Sequence, residues 1–339
     1  MKEVNELLND LLTDFNPKQR RVIESRFGIK NGARVTLQKI GDELGVTRER
    51  VRQIEEQGME KLRPRVKKEA ASVIKDAKIY LAGVGGVRRD DFYINELKYL
   101  LAVNDSKVKH AGQKLRFLLL VADEPRFCHG DDEVNDFWYL NDEAKEKFFK
   151  LVKKVTGLLE SGDRREVLEK KTYLAECRNM SLSHMLTIPK YFGTNVFGDF
   201  GLKTWPEIEP RTVRDKAYLV LRKHSKPLHF ADIAKSINYF GIDKKPAHVQ
   251  TVHNELIKDV RFVLVGRGMY ALAEHGFEPG TVREVMAGLL KRRGPLKPNE
   301  IIKLVNQQRI LKENTILLNL QNRRHFKRLD DGRYHVREA

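Results

Sequence analysis

The sequence predicts a mainly α-helical, multidomain protein built from helix-turn-helix and winged-helix modules with short β-wings. Two observations predict this fold class. Short amphipathic segments end repeatedly at glycines, and the C-terminal third repeats a pattern of three helices followed by two strands. With 339 residues, 41% of them hydrophobic, the chain can fill several cores. The expected domains are 1–68, 69–91 (a helix and a Gly-rich joint), 92–209, 210–275 and 279–339.

The charge balance favours an anionic partner. Lys and Arg number 64 against 47 Asp and Glu, a formal net charge of +17, which exceeds what solubility requires. By composition alone, nucleic acid and an acidic membrane surface both fit. No stretch reaches the roughly 20 apolar residues of a membrane span, and acids interrupt the apolar N-terminal run, unlike in a signal peptide. We therefore expect a cytoplasmic protein without membrane association.

The chain shows no pattern typical of catalysis or metal binding. Its two cysteines, Cys128 and Cys177, do not sit in ligand-spaced clusters and need not form a disulfide. The nearest nuclease-like string, residues 163–171, falls in one predicted helix, and the histidines are scattered. We expect a non-enzymatic protein with no metal, no cofactor and no small-molecule substrate.

The first two helices have clear start and stop signals. Asn16 caps the first, Pro17 occupies its first position and Gly28 ends it. Thr36 caps the second, which ends at Gly45, a residue that can take the left-handed conformation of a tight turn. A further helix is therefore expected to follow Gly45 at once.

That third helix is basic and has an apolar seam at Val51, Ile54 and Leu62. Two short helices joined by a glycine-containing turn are typical of a helix-turn-helix, whose second helix enters the major groove of double-stranded DNA. The predicted DNA-binding residues here are Thr47, Arg48, Glu49, Arg50, Arg52, Gln53, Arg63, Arg65, Lys67 and Lys68.

The spacing of these residues indicates two kinds of contact. Arg48 and Arg52 are four apart, as are Glu49 and Gln53, so all four lie on the side away from the seam. Arg suits guanine, Gln suits adenine and Glu can accept from cytosine, whereas the basic residues further along suit phosphates. The alternative is a solvated helix with intrahelical pairs such as Arg52 with Glu56. The preceding turn favours DNA binding.

The stretch RRVIESRFGIKNGARVTLQKIGDELGVTRERVRQIEEQGMEKLR resembles region four of the housekeeping-type bacterial sigma factors. The likeness lies in the Arg-Phe-Gly signature and the TRERVRQIE recognition helix. The resemblance implies binding to the minus-thirty-five promoter element through Arg48, Glu49, Arg52 and Gln53, and docking on the flap of the RNA polymerase beta subunit. Because the sequence begins at region four, we expect the promoter-melting and main clamp-binding regions to be absent. A complete sigma factor is not expected.

An internal repeat marks the C-terminal third. VQTVHNELIKDVRFVLVGRGMYAL aligns without gaps with ENTILLNLQNRRHFKRLDDGRYHV at a shift of 64, since 334 − 270 = 64 for the shared tyrosines. KPLHFADIAKSI pairs with GPLKPNEIIKLV just upstream. Each copy predicts three helices and two strands around a glycine turn, which is a winged helix. Residues 210–273 also resemble the HARE helix-turn-helix domain, found in the delta subunit of bacterial RNA polymerase and in chromatin and restriction proteins.

Each copy has candidate DNA-binding residues off its apolar seam. In the first copy they are Gln250, Thr251, His253, Asn254, Lys258 and, at the wing tip, Arg267. In the second copy they are Asn314, Gln321, Asn322, Arg323, Arg324 and Arg333. A winged helix can also dock on protein. For the first copy both interpretations stay open, whereas the more basic second copy favours DNA.

The middle of the chain predicts a hinge and a third winged unit. Residues 80–91 are Gly-rich, which indicates a joint. The next segments repeat the pattern of two helices and two strands, with a long acidic wing: residues 123–146 hold nine acids against Arg126 and Lys145. This surface suits a basic protein partner or DNA mimicry, or serves only solubility.

Three classes of function remain open. The first is a bacterial transcription protein that binds promoter-type DNA and associates with the RNA polymerase core. The second is a polymerase-docking or delta-like regulatory factor with little sequence-specific DNA binding. The third is the DNA-targeting component of a modification or defence system.

Overall fold

The structure, a computed structural model, describes residues 4–103, 108–177 and 182–337. It is mainly α-helical with short antiparallel strands, which confirms the predicted fold class. The chain divides into two compact units, Met1–Phe192 and Gly193–Ala339.

The first unit is a helical assembly with one small sheet. Its elements in chain order are α1 (Val4–Leu11), α2 (Pro17–Phe27), α3 (Leu37–Leu44), α4 (Arg48–Glu69), α5 (Ala71–Gly83), β1 (Val87–Arg89), α6 (Asp90–Leu100), α7 (Ala111–Ala122), β2 (Arg126–Cys128), β3 (Phe137–Tyr139), α8 (Asp142–Ser161), α9 (Arg164–Lys170), α10 (Tyr173–Glu176) and a 3₁₀ turn (Ser183–Thr187). A further strand, β4 (Phe192–Thr194), lies at the boundary of the two units.

The start and stop signals of α2 and α3 are confirmed. The Asn16 side chain accepts a hydrogen bond from the Gln19 amide at 2.8 Å, and Thr36 caps α3 in the same way. Gly28 and Gly45 have φ angles of 66° and 63°, in the left-handed region that favours glycine. These residues fix where both helices begin and end.

One hydrophobic core runs through the first unit from α1 to β3. Leu11, Leu62 and Trp138, which come from three distant parts of the sequence, are all buried in it. The rings of Phe27 on α2 and Phe117 on α7 lie 4.9 Å apart. The helices around the glycine turn therefore share a core with α5 to α7, across the expected boundaries at 68 and 91.

The Gly-rich segment 80–91, expected to be a hinge, is packed into this unit. Its second half forms β1, which pairs antiparallel with β3 in a sheet of order β1-β3-β2. Gly86 accepts a hydrogen bond from the Leu140 amide at 2.8 Å, and a Cβ at Gly86 would lie 2.9 Å from Ala144 Cβ. The glycines thus allow a tight turn and close packing. Composition alone does not distinguish such a turn from a hinge.

The second unit contains two arrangements of three helices, the first with a three-stranded sheet and the second with a strand pair. Its elements are β5 (Phe200–Leu202), α11 (Val213–His224), β6 (Leu228–His229), α12 (Phe230–Tyr239), α13 (Val249–Lys258), β7 (Phe262–Gly266), β8 (Met269–Leu272), a 3₁₀ turn (Ala273–His275), α14 (Val282–Arg293), α15 (Pro298–Gln308), α16 (Glu313–Leu320), β9 (Phe326–Arg328) and β10 (Tyr334–Val336).

The two arrangements follow the repeat found in the sequence. The helices α13 and α16 begin at Val249 and Glu313, which are 313 − 249 = 64 residues apart. Leu228 pairs with Tyr270 in the first sheet, and Leu296 bridges to Tyr334 in the second. Each arrangement has its own buried cluster, one around α11 to α13 and one around α14 to α16.

Polar contacts join these two arrangements. The Arg309 side chain is 3% exposed, and it donates to the carbonyl oxygens of Glu278 and Gly280 at 2.7 and 2.9 Å. The Ile310 amide donates to the Val265 carbonyl at 2.6 Å. The short segment between the two arrangements is therefore anchored by hydrogen bonds from the buried Arg309 and from the backbone of Ile310.

Candidate DNA-binding site

Close backbone contacts constrain the turn between α3 and α4. The Val46 amide donates to the Gly41 carbonyl at 2.9 Å, and a Cβ at Gly41 would lie 2.7 Å from Val46 O. Thr47 Oγ1 accepts from the Arg50 amide at 3.1 Å and caps α4. Only glycine at position 41 allows this approach, so the start of α4 has a fixed position relative to α3.

A small apolar cluster holds the three helices around this turn together. Val22 of α2, Ile40 of α3, and Val51 and Ile54 of α4 are all buried. Two residues of the seam predicted for the third helix, Val51 and Ile54, are therefore in this cluster, and Leu62 lies in the main core of the unit. The predicted seam is confirmed, and the opposite side of α4 is left to solvent.

The first two turns of α4 present the predicted base-contacting residues outward. Arg48, Glu49, Arg50 and Arg52 are exposed and Gln53 is half-buried. Arg50 Nη1 donates to Gln53 Oε1 at 3.1 Å. The Arg48 side chain has no hydrogen-bond or ion-pair partner among the residues that the structure describes. We call Arg48, Glu49, Arg52 and Gln53 the recognition face.

An intrahelical ion-pair chain occupies part of the recognition face. Arg52 Nη2 lies 2.8 Å from Glu49 Oε1, and the same guanidinium pairs with Glu56. The hydrogen bond from Arg52 lowers the pKa of the Glu49 carboxyl, and Glu49 in turn raises the pKa of Arg52. Because all three side chains are solvent-exposed, these pairs are weak and can be exchanged for contacts with bases.

The basic residues further along α4, expected to contact phosphates, mostly contact the rest of the first unit. Arg63 Nε donates to the Val121 carbonyl at 3.2 Å, and Arg65 Nη1 pairs with Asp14 at 2.7 Å. Of the four basic residues predicted here to contact phosphates, only Lys68 is both exposed and without a side-chain partner in the described part of the chain. The Val121 partner of Arg63 and the Asp14 partner of Arg65 lie 58 and 51 residues away in sequence, so helix periodicity could not reveal them. Arg65 also pairs with Glu69, one turn further along the helix.

Lys67 belongs to a clamp that joins α4, α5 and the end of α7. Its Nζ and that of Lys78 each lie 2.9 Å from an oxygen of Glu124. The hydrogen bonds from Lys78 and Lys67 lower the pKa of the Glu124 carboxyl. These contacts orient α4 against α7 and α5.

In the first C-terminal arrangement the candidate residues Gln250, Asn254 and Lys258 have polar partners on α13 itself. Gln250 Nε2 donates to Asn254 Oδ1 at 3.0 Å, and Lys258 Nζ lies 3.2 Å from Glu255 Oε1. Thr251 and Arg267 are exposed. The His253 ring packs on Phe230, with centroids 4.3 Å apart.

Four large apolar side chains are exposed on α13, on the loop after it and on β7. They are Val249, Ile257, Val260 and Leu264. Ile257 is 64% exposed and Val260 is 92% exposed. We call these four residues the apolar surface. Sequence reasoning singled out only the polar residues of this helix.

The second arrangement presents a basic surface near its strands. Arg323, Arg324 and Arg333 are exposed. Arg333 pairs with Asp331 at 2.6 Å, and Arg337 Nη1 donates to the Arg323 carbonyl at 2.9 Å. Arg324 lines an open groove of about 860 Å³ together with Arg283, His325 and Arg337. Arg283, His325 and Arg337 were not predicted, because they come from separate elements that only the fold brings together.

Two further expectations concern metals and membranes. In residues 4–103, 108–177 and 182–337, no three His, Cys, Asp or Glu side chains come close enough to hold a metal ion. In the same ranges no helix has both the length and the apolar character needed to cross a membrane.

Comparison with known proteins places the recognition face in a known family segment. Residues 11–64 match Sigma-70, region 4. The chain is similar to RNA polymerase sigma factor SigA2 of Synechococcus elongatus, 41% identical over 58 residues, which is 17% of this chain and 18% of that protein. It is also similar to RNA polymerase sigma factor SigA of Clostridium acetobutylicum, 42% identical over 60 residues, 18% of this chain and 16% of that protein. The chain thus matches less than a fifth of the length of either relative.

Proposed function

We propose that the chain is a non-enzymatic bacterial transcription protein that binds promoter-type DNA through α3 and α4 and associates with the RNA polymerase core in the cytoplasm. The observation that carries this proposal is the exposed recognition face, held by the Gly41–Gly45 turn inside the segment that matches Sigma-70, region 4. Arg48, Gln53 and Glu49 suit guanine, adenine and cytosine edges in the major groove. Lys68 and Arg50 are available for phosphates.

Association with RNA polymerase rests on the same segment. Both relatives are named RNA polymerase sigma factors, and their likeness to this chain covers about 60 residues. We propose the flap of the beta subunit as the contact, as the resemblance to region four implies. The matched segment is too small a share of either relative to carry the promoter-opening activity of a whole sigma factor.

The C-terminal arrangements supply the second part of the proposal. We propose that both are winged helices and that residues 210–275 are of the HARE type. The exposed arginines 323, 324 and 333 favour DNA backbone contact by the second arrangement. We propose that residues 1–68, 69–91 and the part of 92–209 up to β3 act as one unit, because they share one core.

A protein-docking role is the second candidate for the first C-terminal arrangement. The apolar surface exposes two large side chains on α13, Val249 and Ile257, and two beyond it, Val260 and Leu264. Apolar side chains do not replace the hydration of phosphates. Clustered exposed apolar residues mark protein interfaces. This observation favours the delta-like, polymerase-docking alternative for this part of the chain.

A pull-down of core RNA polymerase with the full chain, with and without duplex DNA, tests the proposal. We expect capture without DNA, because the flap contact needs none. Arg48→Ala should weaken binding to the preferred duplex and leave capture unchanged. Ile257→Ser with Leu264→Ser measures the docking contribution of the apolar surface. If the chain captures core polymerase neither with nor without DNA, the proposed association with RNA polymerase is wrong.

A further inference from the structure

A groove of about 990 Å³ opens on the first unit between α1, α2, the α2–α3 loop and the first turn of α7. That volume accommodates a ligand of nucleotide size. None of the described residues that line it belongs to the recognition face. The groove is therefore separate from the recognition face, and a ligand could occupy it whether or not α4 binds DNA.

The groove is rich in basic side chains. They are Arg20, Arg21, Lys30, Lys109, His110 and Lys114. Its two carboxylates, Glu24 and Glu43, already pair with the two arginines at 2.8 and 3.3 Å. Among the described residues, the three lysines have no carboxylate partner. The groove thus carries uncompensated positive charge, which favours an anionic ligand.

Lys114 shows this imbalance most clearly. The residue is 7% exposed, and its Nζ donates to the neutral amide oxygen Asn5 Oδ1 at 2.7 Å. Burial lowers the pKa of the Lys114 ammonium. A buried ammonium whose described partner is only an amide is unfavourable, and a bound anion would supply the missing countercharge.

The lysine-bearing segments are held in place before any ligand binds. The His110 ring lies against Gly32 so closely that a Cβ there would be 2.6 Å from His110 Nδ1. Gln113 Nε2 donates to the Gly32 carbonyl at 2.9 Å. These contacts fix the α2–α3 loop against the start of α7, and a preformed site binds with a smaller entropic cost.

Apolar side chains also line the groove. Val35 is half-buried and Ala33 is exposed, whereas Leu8, Leu12 and Ile29 are almost fully buried. A phosphate of a DNA backbone needs only basic surface, whereas a ligand that contacts both kinds of side chain carries an apolar ring and a charged group. A nucleotide has both, because its base stacks on apolar surface while its phosphates pair with lysines.

We propose that this groove binds a phosphorylated nucleotide. Its phosphates contact Lys30, Lys109 and Lys114, and its base lies against Ala33 and Val35 of the α2–α3 loop. The nucleotide is a ligand and no reaction is assigned to it.

Isothermal titration of the full chain with ATP, GTP, adenosine and inorganic pyrophosphate tests the proposal. We expect one nucleotide per chain, with adenosine and pyrophosphate each binding at least about tenfold more weakly than the preferred nucleotide, since each lacks one of the two contacts. Lys30→Glu with Lys109→Glu lowers nucleotide affinity at least about tenfold, because two charge-assisted contacts become repulsive. Both side chains are exposed, so the core is unaffected.

The matched control is Lys75→Glu with Lys153→Glu, which changes the net charge by the same amount at exposed positions outside the groove. We expect its nucleotide affinity to stay within about twofold of the unmodified chain. Three results overturn the proposal: no nucleotide binding at millimolar concentration, equal losses in the two double variants, or pyrophosphate binding as tightly as ATP and GTP. If the unmodified chain binds no nucleotide, and Lys30→Glu with Lys109→Glu only weakens its non-specific binding to duplex DNA, the groove binds DNA instead.

Discussion

Arg48 stands exposed at the first position of α4, without a hydrogen-bond or ion-pair partner for its side chain in the described part of the chain. Arg52, one turn further on, is paired with Glu49 and Glu56. Arg48 can therefore reach a base without first breaking an ion pair, whereas Arg52 must exchange one partner for another. The spacing of Arg52 and Glu56 in the sequence already indicated one of these pairs, and the structure adds the pair with Glu49.

Arg48→Ala is expected to weaken binding to a preferred duplex by about 1–3 kcal/mol, the usual value of a bidentate base contact, and to weaken binding to a scrambled duplex much less. Lys68→Ala is the control, because loss of a phosphate contact weakens both duplexes alike. Fluorescence anisotropy on the two duplexes measures this. Equal losses on both duplexes for Arg48→Ala would argue against a base contact.

Glu124 gives a pH-dependent prediction. The hydrogen bonds from Lys78 and Lys67 lower its pKa in the folded chain. A lowered folded pKa means that ionised Glu124 stabilises the fold above its unfolded pKa, and that this stabilisation is lost as the pH falls through the folded pKa. Because the pairs are about half exposed, Glu124→Gln should lower the free energy of unfolding at pH 7 by only about 0.5 kcal/mol.

At a pH below the folded pKa of Glu124, the Gln variant and the unmodified chain should be equally stable. Urea denaturation followed by the fluorescence of buried Trp138, in a Trp205→Phe background, reports on the first unit alone. The same stability difference at neutral and at strongly acidic pH would show that the effect of Glu124 is not one of charge.

At the scale of elements, the turn between α3 and α4 decides how the recognition face is presented. Gly41 has backbone atoms of Val46 where a Cβ would lie, whereas Gly45 has open space but a positive φ. The two glycines are therefore needed for different reasons: Gly41 for close approach and Gly45 for backbone conformation.

Gly41→Ala should cost about 1–3 kcal/mol, because a Cβ placed 2.7 Å from Val46 O forces the turn to shift and moves α4. Gly45→Asn should cost less than about 1 kcal/mol, because Asn tolerates the left-handed region. Affinity for the preferred duplex should fall with Gly41→Ala and be nearly kept with Gly45→Asn. The reverse order would mean that α4 is not positioned by the close approach at Gly41.

The sequence predicted the ends of helices well where neighbouring residues determine them. The caps Asn16 and Thr36 and the glycines 28 and 45 act within one turn of the chain, so their pattern sufficed. The repeat of the C-terminal third likewise predicted the matching order of α11 to β8 and α14 to β10. Exposure of Arg48 and Arg52 followed from helix periodicity alone.

The sequence did not predict features that depend on distant contacts. Arg63 and Lys67 looked like phosphate ligands, but their partners Val121 and Glu124 lie on the far side of the expected domain boundary. The glycines at 85 and 86 looked like a hinge, but strand pairing and the close packing of Ala144 use them as a turn. Composition does not reveal which backbone positions another segment will approach.

For the whole molecule, the distribution of basic residues decides how many parts of the chain contact DNA. The recognition face lies in the first unit, and the exposed arginines 323 and 324 lie in the second. If both units contact one duplex, the salt dependence of binding reports the sum of their phosphate contacts.

Arg323→Ala with Arg324→Ala should reduce the slope of log affinity against log salt by about 1–2, since each phosphate contact contributes about 0.9. Base preference should not change, because these residues contact only the backbone. A salt titration of the full chain and the double variant on one long duplex measures both. An unchanged slope would favour the polymerase-docking alternative for the second unit.

The most direct test of DNA recognition by α4 is selection of bound sequences from a random duplex library with the full chain, repeated with Arg48→Ala and Gln53→Ala. We expect one enriched motif for the unmodified chain, and loss of base preference at different positions of that motif in each variant. An absence of enrichment, or the same undiminished motif in both variants, would contradict sequence recognition by this helix.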